Sequence, residues 1–397
     1  MSADLAVRLR ARPASAFLTD EKILASAISL IGKKGLGAAT PAALSRESNL
    51  SITAIRQRYN SFEEFIYWVW QMKCLPLTIN PMINLIETYL TLDTTKNAEI
   101  KKVLGTTLKR SDLNQTTLEI LVSCSFNELL RNKIRDDFLL LLNWPKEIDL
   151  VKATQQIMML NTILGLLADR KSSKNKSIEV INLAHEILIS FCHPTERKIM
   201  PNVDASHLDI VQFKTGDPIK DKIFAACVHN VLNSGYEKMT TKSIAKVAGV
   251  SEGLIFSKFK SKLDVFTESY IAQTTVGLKA NYKFVEDLTM QFGEAMADAI
   301  FLRESCHPDR AMQRAVYLEQ MRLSWHKPKV KKAVDLAVAR VFADWKSAGK
   351  QVSTTGDEES PENQLRIAIP KGAVLTSTLF PETYELPYIC LTEKLAV

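Results

Sequence analysis

Two stretches of this chain repeat one pattern of residues without a gap, at an offset of 200 positions. We call residues 20–70 the first segment and residues 217–270 the second segment. The identical positions are Lys22/Lys222, Ile23/Ile223, Ala25/Ala225, Gly35/Gly235, Thr40/Thr240, Ser51/Ser251, Ile55/Ile255 and Ser61/Ser261. Half of these pairs, the glycine, the threonine and the two serines, are residue types that mark helix ends and turns, and the apolar positions between them match in kind. Such a pattern predicts one structural unit that is built twice.

The repeated polar residues predict where short helices begin. Thr40 and Ser51 are N-cap residue types, each placed directly before an apolar helical pattern. Asp20 is expected to cap the helix before them, and Ser61 with Glu64 predicts a capping box for the helix after them. The second segment repeats these signals and has Gly249 in the tight turn. A helix, a short turn and a second short helix predict a helix-turn-helix in each segment.

Positive charge is concentrated in the same two stretches. The chain has a formal net charge of +7, of which residues 22–66 carry +3 and residues 220–264 carry +4. The rest of the chain therefore sums to zero. Two basic units in a neutral chain are typical of two nucleic-acid contacts, although a solvated charged surface has the same composition.

The second segment resembles the N-terminal DNA-binding domain of the tetracycline-repressor (TetR) family. The residues that carry the resemblance are Gly235, Thr240, the pair Ile244–Ala245 and the run Gly249–Val250–Ser251. The first segment is similar but more divergent, with Asn49–Leu50–Ser51 in place of Gly-Val-Ser. The resemblance implies an all-α protein in which each helix-turn-helix is followed by a helical domain that dimerises and encloses a ligand pocket.

We therefore predict two tandem helix-turn-helix headpieces, each followed by a helical regulatory and dimerisation domain, as a covalent pseudo-dimer. Few Gly and Pro residues, 14 of each, also favour helices. The predicted domains are a disordered basic arm at 1–19, a headpiece at 20–70, a helical domain at 71–200, a second headpiece at 217–270 and a second helical domain at 271–397.

Within the two helical domains, apolar periodicity predicts individual helices. Helices are expected at Leu118–Arg131, Val151–Ala168 and Phe284–Phe301. Pro370 and Gly372 predict a break in the apolar stretch near the C-terminus.

Candidate DNA contacts lie at the start of the second short helix in each segment, where side chains of a major-groove helix reach base edges. An alternative is that several of these side chains only solvate their helix. The candidates for base contact are Thr53, Arg56, Gln57 and Arg58 in the first segment and Glu252, Gly253, Leu254, Ser257 and Lys258 in the second. The family's recognition-helix tyrosine is replaced by Arg56 and Phe256.

Phosphate contacts are expected at helix starts, where free N–H groups favour an anion. The candidates are Thr40, Ser51, Thr240 and Ser251, with Lys262 at a position where the family often has a lysine. The arm residues Arg8, Arg10 and Arg12 could reach a minor groove, and disorder is the alternative.

The remaining residues predict no chemistry beyond binding. Met158, Met159 and Ile163 are candidates for lining a pocket for a small apolar effector, although a methionine stripe is more often core. No catalytic motif, phosphate loop or spaced Cys/His set is present, so we expect no enzyme activity, no metal and no cofactor. No signal peptide and no long apolar run is present, which predicts a cytoplasmic protein without a membrane contact. The resemblance to the TetR family implies a bacterial protein.

The sequence thus favours a transcriptional regulator, a ligand-responsive repressor, that binds a double-stranded DNA operator. Because the two headpieces differ, the operator should be asymmetric. The chain would act as a monomeric pseudo-dimer or as a homodimer. The alternative is a helical ligand-sensing or protein-interaction module in which one or both headpieces have lost DNA binding.

Overall fold

The computed structural model describes residues 14–91, 104–144, 150–169, 174–189, 200–206, 212–347, 360–386 and 388. These residues form helices and their connections, and no strand occurs among them. The chain divides into two compact units, an N-terminal unit of Met1–Asn143 and a C-terminal unit of Trp144–Val397. Arg8, Arg10 and Arg12, predicted to form a basic arm, lie outside the described residues.

In the N-terminal unit, α1 packs against α6 with the two backbones in contact. The helices include α1 (Ala14–Lys34), α2 (Pro41–Ser48), α3 (Ile52–Arg56), α4 (Phe62–Val69), α5 (Asn80–Leu90), α6 (Asp112–Ser123) and α7 (Glu128–Leu142). Between α4 and α5 the chain continues as a wider π-type helix, Trp70–Ile79. Gly32 allows the approach of α6, because a Cβ atom there would lie 2.5 Å from the carbonyl oxygen of Asp112. The Thr116 hydroxyl of α6 also donates to the carbonyl of Ile28, at 3.2 Å.

Two helix boundaries in this unit differ from the sequence prediction. Helix α1 includes Ala14 to Lys34, so residues 14–19 are helical rather than disordered and Asp20 lies inside the helix rather than at its N-cap. The predicted helix Leu118–Arg131 is two helices, because the Asn127 side chain accepts from the backbone N–H of Leu130 at 3.0 Å and starts α7 there. A local side-chain cap outweighs the apolar periodicity that continues across it.

The C-terminal unit contains the second segment, two helices before it and the described helices after it. The described helices are α8 (Leu150–Ala168), α9 (Lys174–Ile189), α10 (Pro218–Lys238), α11 (Thr241–Ala248), α12 (Glu252–Lys258), α13 (Lys262–Phe292), α14 (Glu294–Cys306), α15 (Ala311–His326), α16 (Pro328–Ser347) and α17 (Pro361–Leu379). The predicted helix Phe284–Phe301 is divided at Gly293, whose φ of 83° ends α13. A positive φ interrupts a helix and is accessible to glycine at little cost.

Helices α8 and α17 cross with their backbones in direct contact. A Cβ atom on Gly165 would lie 1.9 Å from the carbonyl oxygen of Ala368, and one on Gly372 would lie 1.9 Å from that of Asn161. These pairs show that the two helices run in opposite directions. The Thr376 hydroxyl donates to the Asn161 side-chain oxygen at 2.6 Å beside the crossing.

Helix α17 continues through Pro370 and Gly372, so the predicted break is wrong. Pro370 removes one backbone hydrogen bond, and Gly372 has low helix propensity. Both costs are offset by packing, because tertiary burial supplies most of the stability of a helix in a protein. Gly372 is the residue that lets α8 approach.

The division into two compact units falls after residue 143, whereas the predicted first helical domain extends to residue 200. Contact with α17 explains the difference, because it places α8 in the core of the C-terminal unit. By length and composition, α8 could also cross a membrane, but 78% of its apolar window is buried within the protein. It is therefore a core helix.

The connection before the second segment is held by two buried arginines of the same unit. Arg303 donates to the carbonyl of Pro201 at 2.8 Å, and Arg310 donates to the carbonyl of Ala205 at 2.7 Å. Ala205 packs into an apolar cluster with Phe284. Residues 200–206 are thus part of the folded unit.

We predict that Gly372→Ala destabilises the protein by about 2 kcal/mol or more, because the new methyl group meets a backbone carbonyl that must move. Gly277→Ala is the matched control, since a Cβ atom on Gly277 in α13 meets nothing within 4 Å. The control should be neutral or stabilising by about 0.5–1 kcal/mol. Urea unfolding followed by circular dichroism measures both variants, and equal midpoints would contradict the close crossing.

Candidate nucleic-acid interface

In the second segment, reciprocal side-chain caps and a left-handed turn fix the helix-turn-helix. The Thr240 hydroxyl accepts from the N–H of Ser243, and the Ser243 hydroxyl accepts from the N–H of Thr240, both at 3.0 Å. Gly249 joins α11 to α12 at φ 67° and ψ 33°, and Ser251 caps α12 by accepting from the N–H of Leu254 at 3.1 Å. The caps and the turn predicted from the sequence are confirmed here.

The first segment has the same local geometry 200 positions earlier. Thr40 caps α2 and Ser51 caps α3, by accepting from the N–H groups of Ala43 at 3.2 Å and Ala54 at 3.1 Å. Asn49 takes the place of Gly249, with φ 56° and ψ 40°. Asparagine is one of the few residues other than glycine that tolerate this conformation.

The predicted capping box at Ser61 is only half formed. The Ser61 hydroxyl accepts from the N–H of Glu64 at 3.0 Å, as predicted. The Glu64 carboxylate accepts instead from the N–H of Asn60 at 2.8 Å. The reciprocal bond is thus displaced by one residue.

One intramolecular ion pair is formed in both segments, and it involves two of the residues predicted to contact DNA. The Arg58 Nε donates to Asp20 Oδ1 at 2.7 Å, and the Lys258 Nζ donates to Asp217 Oδ2 at 2.6 Å. The Lys258 hydrogen bond holds the pKa of Asp217 below its usual value. Arg58 and Lys258 therefore fix the ends of the short helices within their own segments, and we leave them out of the proposed base contacts.

Lys262 also has partners within the protein. Its ammonium donates to the carbonyls of Tyr236 at 3.0 Å and Met239 at 2.9 Å, and it lies 4.2 Å from the centre of the Tyr236 ring. Burial lowers the pKa of Lys262 and raises that of Tyr236 to about 12. This placement suits the stabilisation of the carbonyls at the end of α10 better than a phosphate contact.

Glu252 is held in a similar way, because its carboxylate accepts a hydrogen bond from the Thr241 hydroxyl. The bond joins the start of α12 to the start of α11. This acceptor is thus already used within the helix-turn-helix.

The remaining candidates point outward. In α3 and directly after it, Thr53, Arg56 and Gln57 are exposed, and no ion pair holds Arg56 among the described residues. In α12, Gly253 and Ser257 are exposed, whereas Leu254 is half-buried. Thr40, Ser51, Thr240 and Ser251 are exposed at their helix starts.

Phe256 is a further candidate for DNA contact that the sequence prediction does not include. Its side chain is 53% exposed on α12, beside the fully buried Ile255. The exposure of Phe256 could have been predicted from the helical periodicity. It directly follows the buried Ile255, so it lies about 100° away around the helix and off the buried face. The exposed lysines Lys242 and Lys246 on α11 were also left out of the predicted set.

These exposed side chains suit contact with DNA. Arg recognises guanine and Gln recognises adenine through paired hydrogen bonds, and an aromatic ring contacts the thymine methyl group. No group of three or more His, Cys, Asp or Glu residues that could hold a metal occurs in the part of the chain that the structure describes.

The described cysteines do not form a reactive site. Cys74, Cys124, Cys227 and Cys306 are free and buried, and burial raises the pKa of the first three to about 12. Thiols with raised pKa values are poor nucleophiles at neutral pH.

The predicted pocket residues Met158, Met159 and Ile163 are fully buried in α8. Because α8 packs against α17 in the core, core packing alone explains why these side chains are buried. A role in effector binding stays a prediction.

Comparison with known proteins identifies the second segment. Residues 232–268 match the family model of bacterial regulatory proteins, tetR family. This match runs from the end of α10 through α11 and α12 into α13, and residues 20–70 lie outside it. Among curated proteins, none matches the chain. The C-terminal unit therefore contains a helix-turn-helix domain of the tetR type, as expected of a DNA-binding transcriptional regulator.

Proposed function

We propose that the chain is a transcriptional repressor, not an enzyme, that binds one asymmetric DNA operator through two headpieces. The second headpiece is the tetR-type domain, and the first is residues 20–70. The observation that supports two headpieces is the recurrence of the caps and of the left-handed turn, with Asn49 in place of Gly249, at an offset of 200. Local geometry of this kind positions a short helix for the major groove.

The base contacts proposed for the two headpieces are chemically different. In the first, Thr53, Arg56 and Gln57 offer hydrogen bonds to purines. In the second, Phe256 and Ser257 offer an apolar and a weakly polar surface. Unlike contacts select unlike half-sites, so the operator is asymmetric.

The phosphate contacts are proposed at the helix starts and at nearby lysines. Thr40, Ser51, Thr240 and Ser251 lie where free N–H groups and the helix dipole favour an anion. The exposed Lys242 and Lys246 add positive charge to the second headpiece. These contacts position the protein without reading sequence.

The close crossing of α8 and α17 supports action as a monomeric pseudo-dimer. Residues from before and after the second headpiece form one intramolecular helix pair, through Gly165 and Gly372. Covalent linkage makes the second half-site contact intramolecular and raises its effective concentration. An apolar effector in the cytoplasm would release the operator if it binds more tightly to the DNA-free conformation of the protein than to the DNA-bound conformation. The shift can be no larger than this difference in affinity.

We expect selection from random duplex DNA, at low salt and without added ligand, to enrich a site with two unlike halves. Binding should weaken steeply as salt rises, because phosphate contacts release counterions. Enrichment of a single half-site would show that one headpiece has lost binding. The absence of any enrichment would contradict the proposal and favour a ligand-sensing or protein-binding module.

Arg56→Ala should remove base preference in one half-site only, at a cost of about 1–3 kcal/mol in binding free energy. Arg110→Ala is the matched control, since Arg110 is exposed in the same unit and outside the first segment. Both variants lose one positive charge, so their general attraction to DNA changes alike. Competition binding with single-base variants of the selected site measures the effect, and equal base preferences in the two variants would contradict base contact by Arg56.

Phe256 is expected to contact a thymine methyl group in the other half-site. Replacing that thymine by uracil removes the methyl group and should weaken binding of the unaltered protein by about fourfold. The same replacement should leave the affinity of Phe256→Ala unchanged. Uracil in the half-site read by the first headpiece is the control, and an equal loss in both proteins would contradict the contact.

A further inference from the structure

Two buried glutamates 200 positions apart make the same contact with the end of a segment's first helix. Glu319 Oε1 accepts from the backbone N–H of Tyr236 at 2.6 Å, and Glu119 Oε2 accepts from that of Leu36 at 2.9 Å. The two donor residues are 200 positions apart, as are the two glutamates, and this is the offset that relates the two segments. In each case the N–H belongs to the segment and the carboxylate belongs to a helix of the domain that follows it.

The donor follows a glycine with the same unusual backbone in both places. Gly35 has φ 90° and ψ 169°, and Gly235 has φ 73° and ψ 165°. Residues other than glycine rarely adopt a positive φ of this kind. This conformation follows the end of α1 in the first segment and kinks α10 in the second, and it directs the next N–H toward the carboxylate.

The acceptors are both removed from water. Glu119 is 0% exposed on α6, and Glu319 is 1% exposed on α15. A carboxylate is seldom buried without partners, because its desolvation is costly. Hydrogen bonds to an ionised acceptor are shorter and stronger than those between neutral groups.

The second contact has an additional support. Arg322 donates through Nε to Glu319 Oε2 at 2.7 Å and through its terminal nitrogen to Oε1 at 2.8 Å, and it lies 3.6 Å from Glu237 of the second segment. Position 122, which corresponds to Arg322 at the common offset, is a valine. The two contacts therefore share the glutamate and the N–H but differ in the arginine.

We propose that Glu119 and Glu319 are positioning residues, each of which fixes the orientation of one headpiece on the helical domain that follows it. They act through the headpieces and do not touch DNA, so the inference rests on the proposed function. Two half-sites are bound together only when both recognition helices are held in place. Weakening either contact should therefore relax the dependence of binding on the spacing between half-sites, without changing the reading of bases.

The test compares Glu119→Gln and Glu319→Gln with the unaltered full chain on duplexes that carry both selected half-sites at different spacings. The variants keep the side-chain shape and remove the charge. Glu304→Gln is the matched control, because Glu304 is also buried and ion-paired, with Arg303 and Arg310, and has its partners outside the second segment. Duplexes with one half-site are measured in parallel, and circular dichroism establishes that each variant is folded.

For the unaltered chain we expect affinity to fall by about tenfold when the spacing is changed by two base pairs. In each Glu→Gln variant this fall should shrink to about threefold or less, while single half-site affinity stays within about twofold. A variant that keeps the full spacing dependence, or a control that loses it equally, would overturn the proposal. A loss of single half-site affinity as large as the loss on the full site would also overturn it, because the role would then be general stability.

Amide hydrogen exchange tests the contact in the absence of DNA. The N–H of Tyr236 should exchange faster in Glu319→Gln than in the unaltered chain, while its rate in Glu304→Gln stays unchanged. An unchanged Tyr236 rate in Glu319→Gln would overturn the proposal. If the unaltered chain selects no two-part site, the proposed function fails, and the exchange rates still decide whether Glu319 holds the segment.

Discussion

The close crossing of α8 and α17 is the contact on which the C-terminal unit depends. Its two glycines bring backbone against backbone, so neither Gly165 nor Gly372 has room for a side chain. The buried hydrogen bond from Thr376 to Asn161 favours one register, because sliding the helices would leave polar groups unpaired. A helix that precedes the tetR-type domain by about fifty residues thereby becomes part of the same core.

The sequence was sufficient where local interactions decide the structure. Thr240, Ser251 and Gly249 act within a few residues of themselves, so their caps and turn follow from residue type and spacing. The same reasoning correctly predicted the caps at Thr40 and Ser51 in the more divergent first segment. It failed at Pro370, where contact with a helix distant in the chain outweighs local helix propensity.

The candidate site was harder to predict, because a basic side chain near a recognition helix has two possible partners. Arg58 and Lys258 have the charge and position of DNA contacts, yet each pairs with an aspartate about forty residues earlier. Only the three-dimensional structure shows those partners. The Glu119 and Glu319 contacts join residues 83 positions apart, and their sequence signals are the repeated glycine before each donor and a Leu-Glu pair repeated at the offset of 200.

Covalent linkage alone does not guarantee simultaneous binding of two half-sites. Effective concentration falls when the tethered groups are free to point in many directions, and it is lost when geometry forbids joint engagement. A chain that joins two headpieces therefore benefits from a firm contact between each headpiece and its own core. The buried carboxylates at α6 and α15 supply such a contact at a single backbone N–H, beside a glycine whose conformation few other residues adopt. Arg322 adds two hydrogen bonds to the second carboxylate, whereas position 122 is a valine, so the two contacts are built from different side chains.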